Sequence, residues 1–229
     1  FTVHADKSVS LEEDLQRRDL TINAIAEDES GNLIDPFNGQ QDLEAKTLRH
    51  VSSAFTEDPL RVLRVARFAA RFHHLGFTIA DETRALMETM TAGGELTDLV
   101  SERVWTEIES ALRESSPQIF IKILKHCGAL AVILPEVDKL YGVPQPPKYH
   151  PEIDTGIHTL MVLEQAALLS TDPVVRFAAL MHDVGKGAIP KSKWPYLRGH
   201  EALGGDLITT ACKRLKAPND FRDLARMTS

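Results

Sequence analysis

Seven stretches of this 229-residue chain have the residue pattern of α-helices. Glycine and proline punctuate them at Gly76, at Gly93 and Gly94, and at Pro117. The predicted helices cover residues 57–74, 81–91, 101–114, 117–126, 155–170, 173–184 and 200–215. This pattern predicts a mainly α-helical fold.

The first forty residues differ from the rest. Ser10 followed by Glu13 is a capping-box pattern, which predicts a helix that begins at Leu11. Turn-forming residues at 28–32 and 35–39 bracket a short apolar segment. We therefore predict a small hairpin here, as the only clear β-structure.

Composition excludes several classes of protein. Hydrophobic residues make up 43% of the chain and charged residues 26%, which rules out wholesale disorder and fibrous repeats. The longest apolar run, residues 129–134, is far shorter than the roughly 18 residues of a membrane helix.

Cys127 and Cys212 are far apart, which favours reduced thiols in the cytoplasm. Phe1 stands in place of a methionine and no signal peptide follows, so we expect a piece of a longer protein.

Residues 142–151 contain four prolines in ten residues. A segment of that composition is typically stiff and extended. We predict a linker and a domain boundary there.

Four arginines recur at helical spacing on one predicted face. They are Arg61, Arg64, Arg67 and Arg71. Residues 49–71 carry a local net charge of +3 within a chain whose net charge is −7. Arginine suits phosphates and base edges, and Asp58 beside Arg61 would add an acceptor to the donors. A solvated amphipathic helix has the same spacing, so the pattern alone leaves both interpretations open.

Most of the nine histidines show no ligand spacing. These are His4, His50, His73, His74, His126 and His150, which we expect to be surface or half-buried residues. His158, the adjacent pair His182 and Asp183, and His200 differ, because such a pair at a helix end can bind one divalent ion with a histidine from an earlier helix. Packing within a helical bundle is the alternative.

Three segments resemble motifs B, C and D of class II tRNA nucleotidyltransferases, the CCA-adding enzymes and their bacterial poly(A) polymerase relatives. They are RRDLTINAIA (17–26), DPFNGQQDL (35–43) and EDPLRVLRVARFAARF (57–72). The segment around HDVGK resembles the HD metal-dependent phosphohydrolase domain. The resemblance implies a remnant of an α+β nucleotidyltransferase head (1–45), a helical neck (46–141), the proline-rich linker (142–151) and a truncated helical HD domain (152–229).

The resemblance also implies roles for individual residues. Asp58 and Arg61 would be the protein template that reads the incoming base, and residues 35–39 a flexible connection. Arg18, Arg64 and Arg67 would hold the nucleotide, while Asp19 and Asn23 would recognise ribose. Structural alternatives exist: Asn23 satisfying a turn, Asp19 capping or pairing with Arg17, and Arg71 on a solvated face.

The implied activity is template-independent addition of CCA to tRNA with CTP and ATP, using Mg²⁺. The family's metal-binding carboxylates lie in GG-x-VRD and D-x-D segments that do not occur here. We therefore expect no CCA addition by these 229 residues alone, which a 3′-extension assay with CTP and ATP would test.

For the HD domain, the resemblance implies an accessory phosphohydrolase activity that acts on phosphomonoesters or cyclic phosphodiesters. His158, His182, Asp183 and His200 would bind Ni²⁺, Mn²⁺ or Mg²⁺, with Lys186 as a phosphate contact. The family's last aspartate ligand is expected beyond Ser229, because Asp206, Asp220 and Asp223 fit its spacing poorly.

Three other functions compete with CCA addition. They are bacterial poly(A) polymerase, a stand-alone HD phosphohydrolase and a non-catalytic RNA-binding module. We expect a cytoplasmic protein without a membrane partner and leave a homo-oligomer open.

Overall fold

The computed structural model describes residues 9–229, so His4 and the first eight residues of the predicted head lie outside the described part. The first helix, α1, spans Leu11–Gln16. Its capping box is confirmed: the Ser10 side chain accepts from the amide of Glu13, and the Glu13 carboxylate accepts from the amide of Ser10 at 2.7 Å. Two backbone donors at the helix start are thus satisfied.

The predicted hairpin is confirmed as β1 (Ala26–Glu27) paired antiparallel with β2 (Leu33–Ile34). It is not the only β-structure, because β3 (Thr47–Leu48) pairs in parallel with β4 (Thr78–Ile79). Two-residue strands that meet across thirty residues leave no periodicity in the sequence.

A second unpredicted element, α2 (Gly39–Glu44), packs against the turn at Thr21. Only glycine fits at its start, since a Cβ on Gly39 would lie 2.2 Å from the carbonyl oxygen of Thr21. The segment 35–39, for which the resemblance implies flexibility, forms an ordered turn in which the Asp35 carboxylate accepts from the amides of Gly39 and Gln40 at 2.7 and 2.9 Å.

The region predicted to be the neck, residues 46–141, contains helices whose positions match the predicted ones closely. They are α3 (Arg61–Phe72), α4 (Asp81–Ala92), α5 (Ser101–Arg113), α6 (Pro117–His126), α7 (Ala129–Ile133) and α8 (Pro135–Asp138), the last two unpredicted. The prediction was wrong at the start of α3. Asp58 is extended (φ −134°, ψ 97°), because a residue before proline disfavours helical angles, and Pro59 follows.

Residues 142–151 are not the stiff extended segment that their composition predicts. The segment turns back, so that the amide of Gln145 donates to the carbonyl of Ile153 at 2.8 Å and the amide of Thr155 donates to Val143 at 3.0 Å. We call residues 143–154 the proline loop. Its two ends are hydrogen-bonded together directly before the next helix.

The last part of the chain contains four helices. They are α9 (Thr155–Leu169), α10 (Pro173–Met181), α11 (His200–Leu215) and α12 (Asn219–Thr228). Helix α10 ends three residues earlier than predicted, because the chain tightens into a 3₁₀ turn over Val184–Ala188.

One buried apolar cluster extends from Leu20 to Ala225 and includes side chains from both sides of the proline loop. Helix α6 packs on α3 and on α9. The rings of Trp105, Phe177 and Phe221 meet edge-on, with centroids 4.9 to 5.7 Å apart. Among residues 9–229 no helix combines the length and apolar character that crossing a bilayer requires.

Candidate functional site

A cleft of about 560 Å³ lies between the start of the described chain and helices α3 and α5. Its lining is strongly charged and comprises Arg17, Arg18, Asp19, Asn23, Asp58, Leu60, Arg61, Arg64, Phe68 and Arg103. Six of the seven residues predicted to bind nucleotide are among them. The exception is Arg67, which does not line the cleft.

Asp19 is a buried carboxylate at the base of this arrangement. It accepts hydrogen bonds from Arg64 at 2.7 Å and from the Asn23 amide at 3.0 Å. Burial raises the pKa of Asp19, but the charge of Arg64 and the bond from Asn23 outweigh it and leave the pKa below its usual value. The alternative pairing of Asp19 with Arg17 is not what forms, since Arg17 pairs with Glu57 at 2.7 Å.

The lowered pKa of Asp19 makes its contribution to stability dependent on pH. That contribution is complete above the unfolded-state pKa of about 4 and is lost as pH falls through the lower folded-state pKa. We expect Asp19→Asn to reduce the free energy of unfolding most near neutral pH, with the difference from wild type shrinking towards about pH 3. Urea denaturation at several pH values would measure this, and a difference that stays constant with pH would contradict it.

Asp58 and Arg61 line the same cleft, but they are not neighbours on one helix as the spacing predicted. The Asp58 carboxylate pairs with Arg103 of α5 at 2.7 Å. The Arg61 guanidinium donates to the backbone carbonyls of Ala54 and Arg17. Both side chains are thus fixed in direction by other partners, with the aspartate on an extended segment just before the helix.

Arg67 has a different environment from the cleft arginines. Its side chain is 13% exposed and donates to Glu107 of α5 at 2.7 Å. The guanidinium also lies 4.8 Å from the centre of the Phe68 ring. Arg67 therefore joins α3 to α5, whereas Arg71 at the end of α3 is 53% exposed, in agreement with the solvated alternative.

A second polar site surrounds Asp183, which is 5% exposed. The Nε2 atoms of three histidines approach its carboxylate: His182 at 3.1 Å, His200 at 3.7 Å and His158 at 3.8 Å. The four residues expected to bind metal are thus brought together from α9, the end of α10 and the start of α11. The ligand atoms of His158, His182 and Asp183 lie within 4.8 Å of one another.

The opposite ring nitrogen of each histidine lies near an oxygen atom. The Nδ1 atoms lie 2.7 Å from the carbonyl of Ala179 for His182, 2.9 Å from that of Leu197 for His200, and 2.7 Å from the carboxylate of Glu152 for His158. Such acceptors favour a proton on Nδ1 and leave the Nε2 lone pairs free for a metal. Burial also lowers the pKa of His158, although Asp183 opposes it, which favours the neutral, ligating form.

These donors fit a divalent ion. Three imidazoles and one carboxylate suit a transition metal such as Ni²⁺ better than Mg²⁺, which prefers oxygen ligands. Burial raises the pKa of Asp183, but hydrogen bonds and positive charge from His182 and Lys186 outweigh it and hold the pKa well below its usual value, so the carboxylate is ionised. A divalent ion bound at Nε2 of His182 would replace the contribution of that ring with its own charge. The Mg²⁺ of nucleotidyl transfer does not fit, because the sequence lacks the paired carboxylates that would bind it.

Gly185 and Lys186 help to build the site. A Cβ on Gly185 would lie 1.9 Å from the carbonyl oxygen of His200, so glycine permits the close approach of α11 that brings His200 to Asp183. The Lys186 ammonium is buried and donates to Asp183 at 2.7 Å and to Gln145 at 2.6 Å. Its predicted role as a phosphate contact remains a prediction.

His150 is half-buried, as expected, but it lies next to one of the proposed metal residues. Its ring centroid lies 4.9 Å from that of His158, and its Nδ1 lies 3.2 Å from the Glu152 carboxylate. His150 and Glu152 belong to the proline loop, whose folded shape the sequence did not predict.

Three domain families match successive parts of the chain. Residues 2–49 match the poly(A) polymerase head domain, residues 76–141 match the probable RNA and SrmB-binding site of polymerase A, and residues 155–228 match the HD domain. The order is the one that motifs B to D and the HD segment imply.

Curated proteins and solved structures give the same result. The chain is 64% identical over 229 residues to the multifunctional CCA protein of Thioalkalivibrio sulfidiphilus and 62% identical to that of Shewanella frigidimarina. It also resembles, at 27% identity and a TM-score of 0.65, a tRNA nucleotidyltransferase solved with a primer tRNA and an ATP analogue, covering 97% of this chain and 59% of that structure. Along its whole length the chain is thus similar in domain order, sequence and fold to CCA-adding enzymes.

All 229 residues of the chain align with these two relatives, but they span only about half of the relatives' own length: 56% of the Thioalkalivibrio protein and 55% of the Shewanella protein. Sequence reasoning missed two charged residues of the cleft, Arg17 and Arg103. Arg103 lies in the segment ERVWTEIESAL, which resembles the family, but the resemblance implied no role for this residue. Its pairing with Asp58 depends on how α5 packs against α3.

Proposed function

We propose that this chain is the base-recognition and HD part of an enzyme that adds CCA to the 3′ ends of tRNA in the cytoplasm, with CTP and ATP as substrates. The observation that carries the proposal is the cleft in which Asp58, Arg61, Arg64, Asp19 and Asn23 converge. The names of the relatives support it, as do solved structures of similar fold that contain CTP or an ATP analogue.

The cleft provides groups of the kind that a base edge needs. Asp58 offers carboxylate lone pairs, and Arg61 presents N–H groups in a fixed plane. Arg18 is half exposed at the rim, where a cation suits a phosphate. We assign base reading to Asp58 and Arg61, nucleotide holding to Arg18 and Arg64, and ribose contact to Asp19 and Asn23. Arg67 supports this set by fixing α3 against α5.

A second activity, metal-dependent phosphohydrolysis, is supported by the histidines around Asp183. A divalent ion bound there would supply an activated water for attack on a phosphate ester. His158, His182, His200 and Asp183 would hold the ion, and Lys186 keeps Asp183 in place through their hydrogen bond.

A stand-alone HD hydrolase would leave unexplained why residues 2–49 and 76–141 match the poly(A) polymerase head and RNA-binding families. CCA addition is preferred over poly(A) addition because the relatives are CCA proteins.

Nucleotide binding to the cleft is tested by replacing Arg61 with alanine. Because a well-oriented polar contact to a base edge contributes about 1 to 3 kcal/mol, we expect affinity for both CTP and ATP to fall by about 5- to 150-fold. Titration of the ¹⁵N-labelled chain, followed by NMR chemical shifts, would measure even weak binding. Wild type should bind CTP and ATP more tightly than UTP and GTP.

The matched control is Arg71→Ala, which removes an exposed arginine from the same helix outside the cleft. It should bind both nucleotides like wild type. Equal losses in the two variants would indicate non-specific attraction, and shifts that avoid the cleft would contradict the proposed base-recognition role.

A further inference from the structure

The metal residues are held by a part of the chain that lies outside the histidine–aspartate motif. The proline loop, residues 143–154, contributes Gln145 to Lys186 and Glu152 to His158, at 2.6 and 2.7 Å respectively. Its composition predicted only a spacer. Its contacts instead place it directly behind the residues that face the proposed ion.

Glu152 has few other charged neighbours. Its side chain is 11% exposed, and within residues 9–229 its ion pairs are with the rings of His158 and His150. A carboxylate removed from water is costly unless it accepts hydrogen bonds. The position of Glu152 is thus best explained by the imidazole N–H groups that it faces.

The backbone beside Glu152 is also unusual. Ile153 has φ +60°, a genuine outlier for a β-branched residue. The conformation is held by hydrogen bonds on both sides: Gln145 donates to the Ile153 carbonyl, and the Asp154 side chain accepts from the amides of Gly142 and Ile157. Backbone strain of this kind persists only where the surroundings enforce it, and here it lies next to the carboxylate that contacts His158.

The geometry around His158 connects these observations. Nδ1 faces Glu152, while Nε2 faces Asp183 at 3.8 Å. A carboxylate that accepts from Nδ1 fixes the ring orientation, keeps the proton on that nitrogen and makes Nε2 a stronger ligand. We propose that Glu152 is a positioning residue for the HD metal centre, acting through His158, with His150 holding Glu152 in turn. This inference rests on the proposed metal site.

A second ion between His150, Glu152 and His158 is the competing interpretation, since these ligand atoms also lie within 4.8 Å of one another. It would require His158 to bind through both nitrogens and to give up both ring protons. One ion at Nε2 and a hydrogen bond at Nδ1 use the same atoms without that cost. The proposal therefore commits to a single ion.

Calorimetric titration of the 229-residue chain with Ni²⁺ tests the proposal. Glu152→Ala should weaken binding by about 10- to 100-fold with one ion still bound, and Glu152→Gln, which keeps an acceptor oxygen, should weaken it less. The matched control is Glu164→Gln, which changes an exposed carboxylate further along α9. It should bind Ni²⁺ like wild type.

The ¹⁵N chemical shifts of the His158 ring provide a readout that a purely structural role would not change. Wild type should show the proton on Nδ1, whereas Glu152→Ala should show a mixture of the two tautomers. Unchanged Ni²⁺ affinity and an unchanged tautomer in Glu152→Ala would overturn the proposal, as would two ions bound by wild type with one lost in His150→Ala. Either result leaves the metal site itself intact, whereas no Ni²⁺ binding by wild type would remove both.

Discussion

Replacing Asp183 with asparagine should reduce Ni²⁺ affinity by at least about 100-fold. That factor is the upper end of the loss expected when a residue that only hydrogen-bonds to a metal ligand is removed. Within residues 9–229, Asp183 is the carboxylate that all three histidines face, with Nε2 atoms at 3.1 to 3.8 Å. Asparagine keeps the shape but removes the charge that would balance the ion. Calorimetric titration, together with hydrolysis of a phosphomonoester in the presence of Ni²⁺, would measure the effect.

His182→Ala should give a comparable loss, because it removes the ring nearest to Asp183. Asp206→Asn is the control, since it changes an exposed aspartate on α11, the helix that carries His200. Tight stoichiometric binding that survives both Asp183→Asn and His182→Ala would refute the assignment of the metal centre. A loss in Asp206→Asn of the same size would point to a general effect of charge.

The position of His182 beside Asp183 was predictable because the signal is local. His182 and Asp183 are adjacent, so one helix end places both side chains at the same point. The contribution of the proline loop was not predictable, because Glu152 reaches His158 only after the loop has folded back on itself. Four prolines set local backbone angles, but they do not specify where the two ends of a loop meet.

The cleft likewise combines features that local sequence predicts with contacts that form only when distant segments pack together. Spacing predicted that Arg61, Arg64 and Arg67 share one face of a helix, and α3 confirms that helix. Which carboxylate each arginine meets depends on α5 and on the residues before α3, which the spacing does not contain. Pro59 carried the one readable signal for the extended backbone at Asp58.

Arg176 shows how much of the stability lies outside any motif. It is 3% exposed, and its guanidinium donates to four backbone carbonyls. The acceptors are Leu112 and Glu114 at the end of α5, and Ala167 and Ser170 at the end of α9, at 2.6 to 3.0 Å. The final carbonyls of a helix lack partners within it and carry partial negative charge, so one buried cation satisfies two helix ends.

We expect Arg176→Met to lower the free energy of unfolding by about 3 to 5 kcal/mol, because bonds from a charged donor contribute about 1.5 to 3 kcal/mol each and methionine leaves buried carbonyls without donors. Methionine preserves much of the volume, so the loss reports on hydrogen bonding rather than on a cavity. Urea denaturation would measure it. The control is Arg113→Met, which removes an arginine paired on the surface with Glu109 and should cost less than about 1 kcal/mol. Similar losses for the two variants would mean that the carbonyls at the ends of α5 and α9 find water when Arg176 is absent, and that this residue does not hold the two helices together.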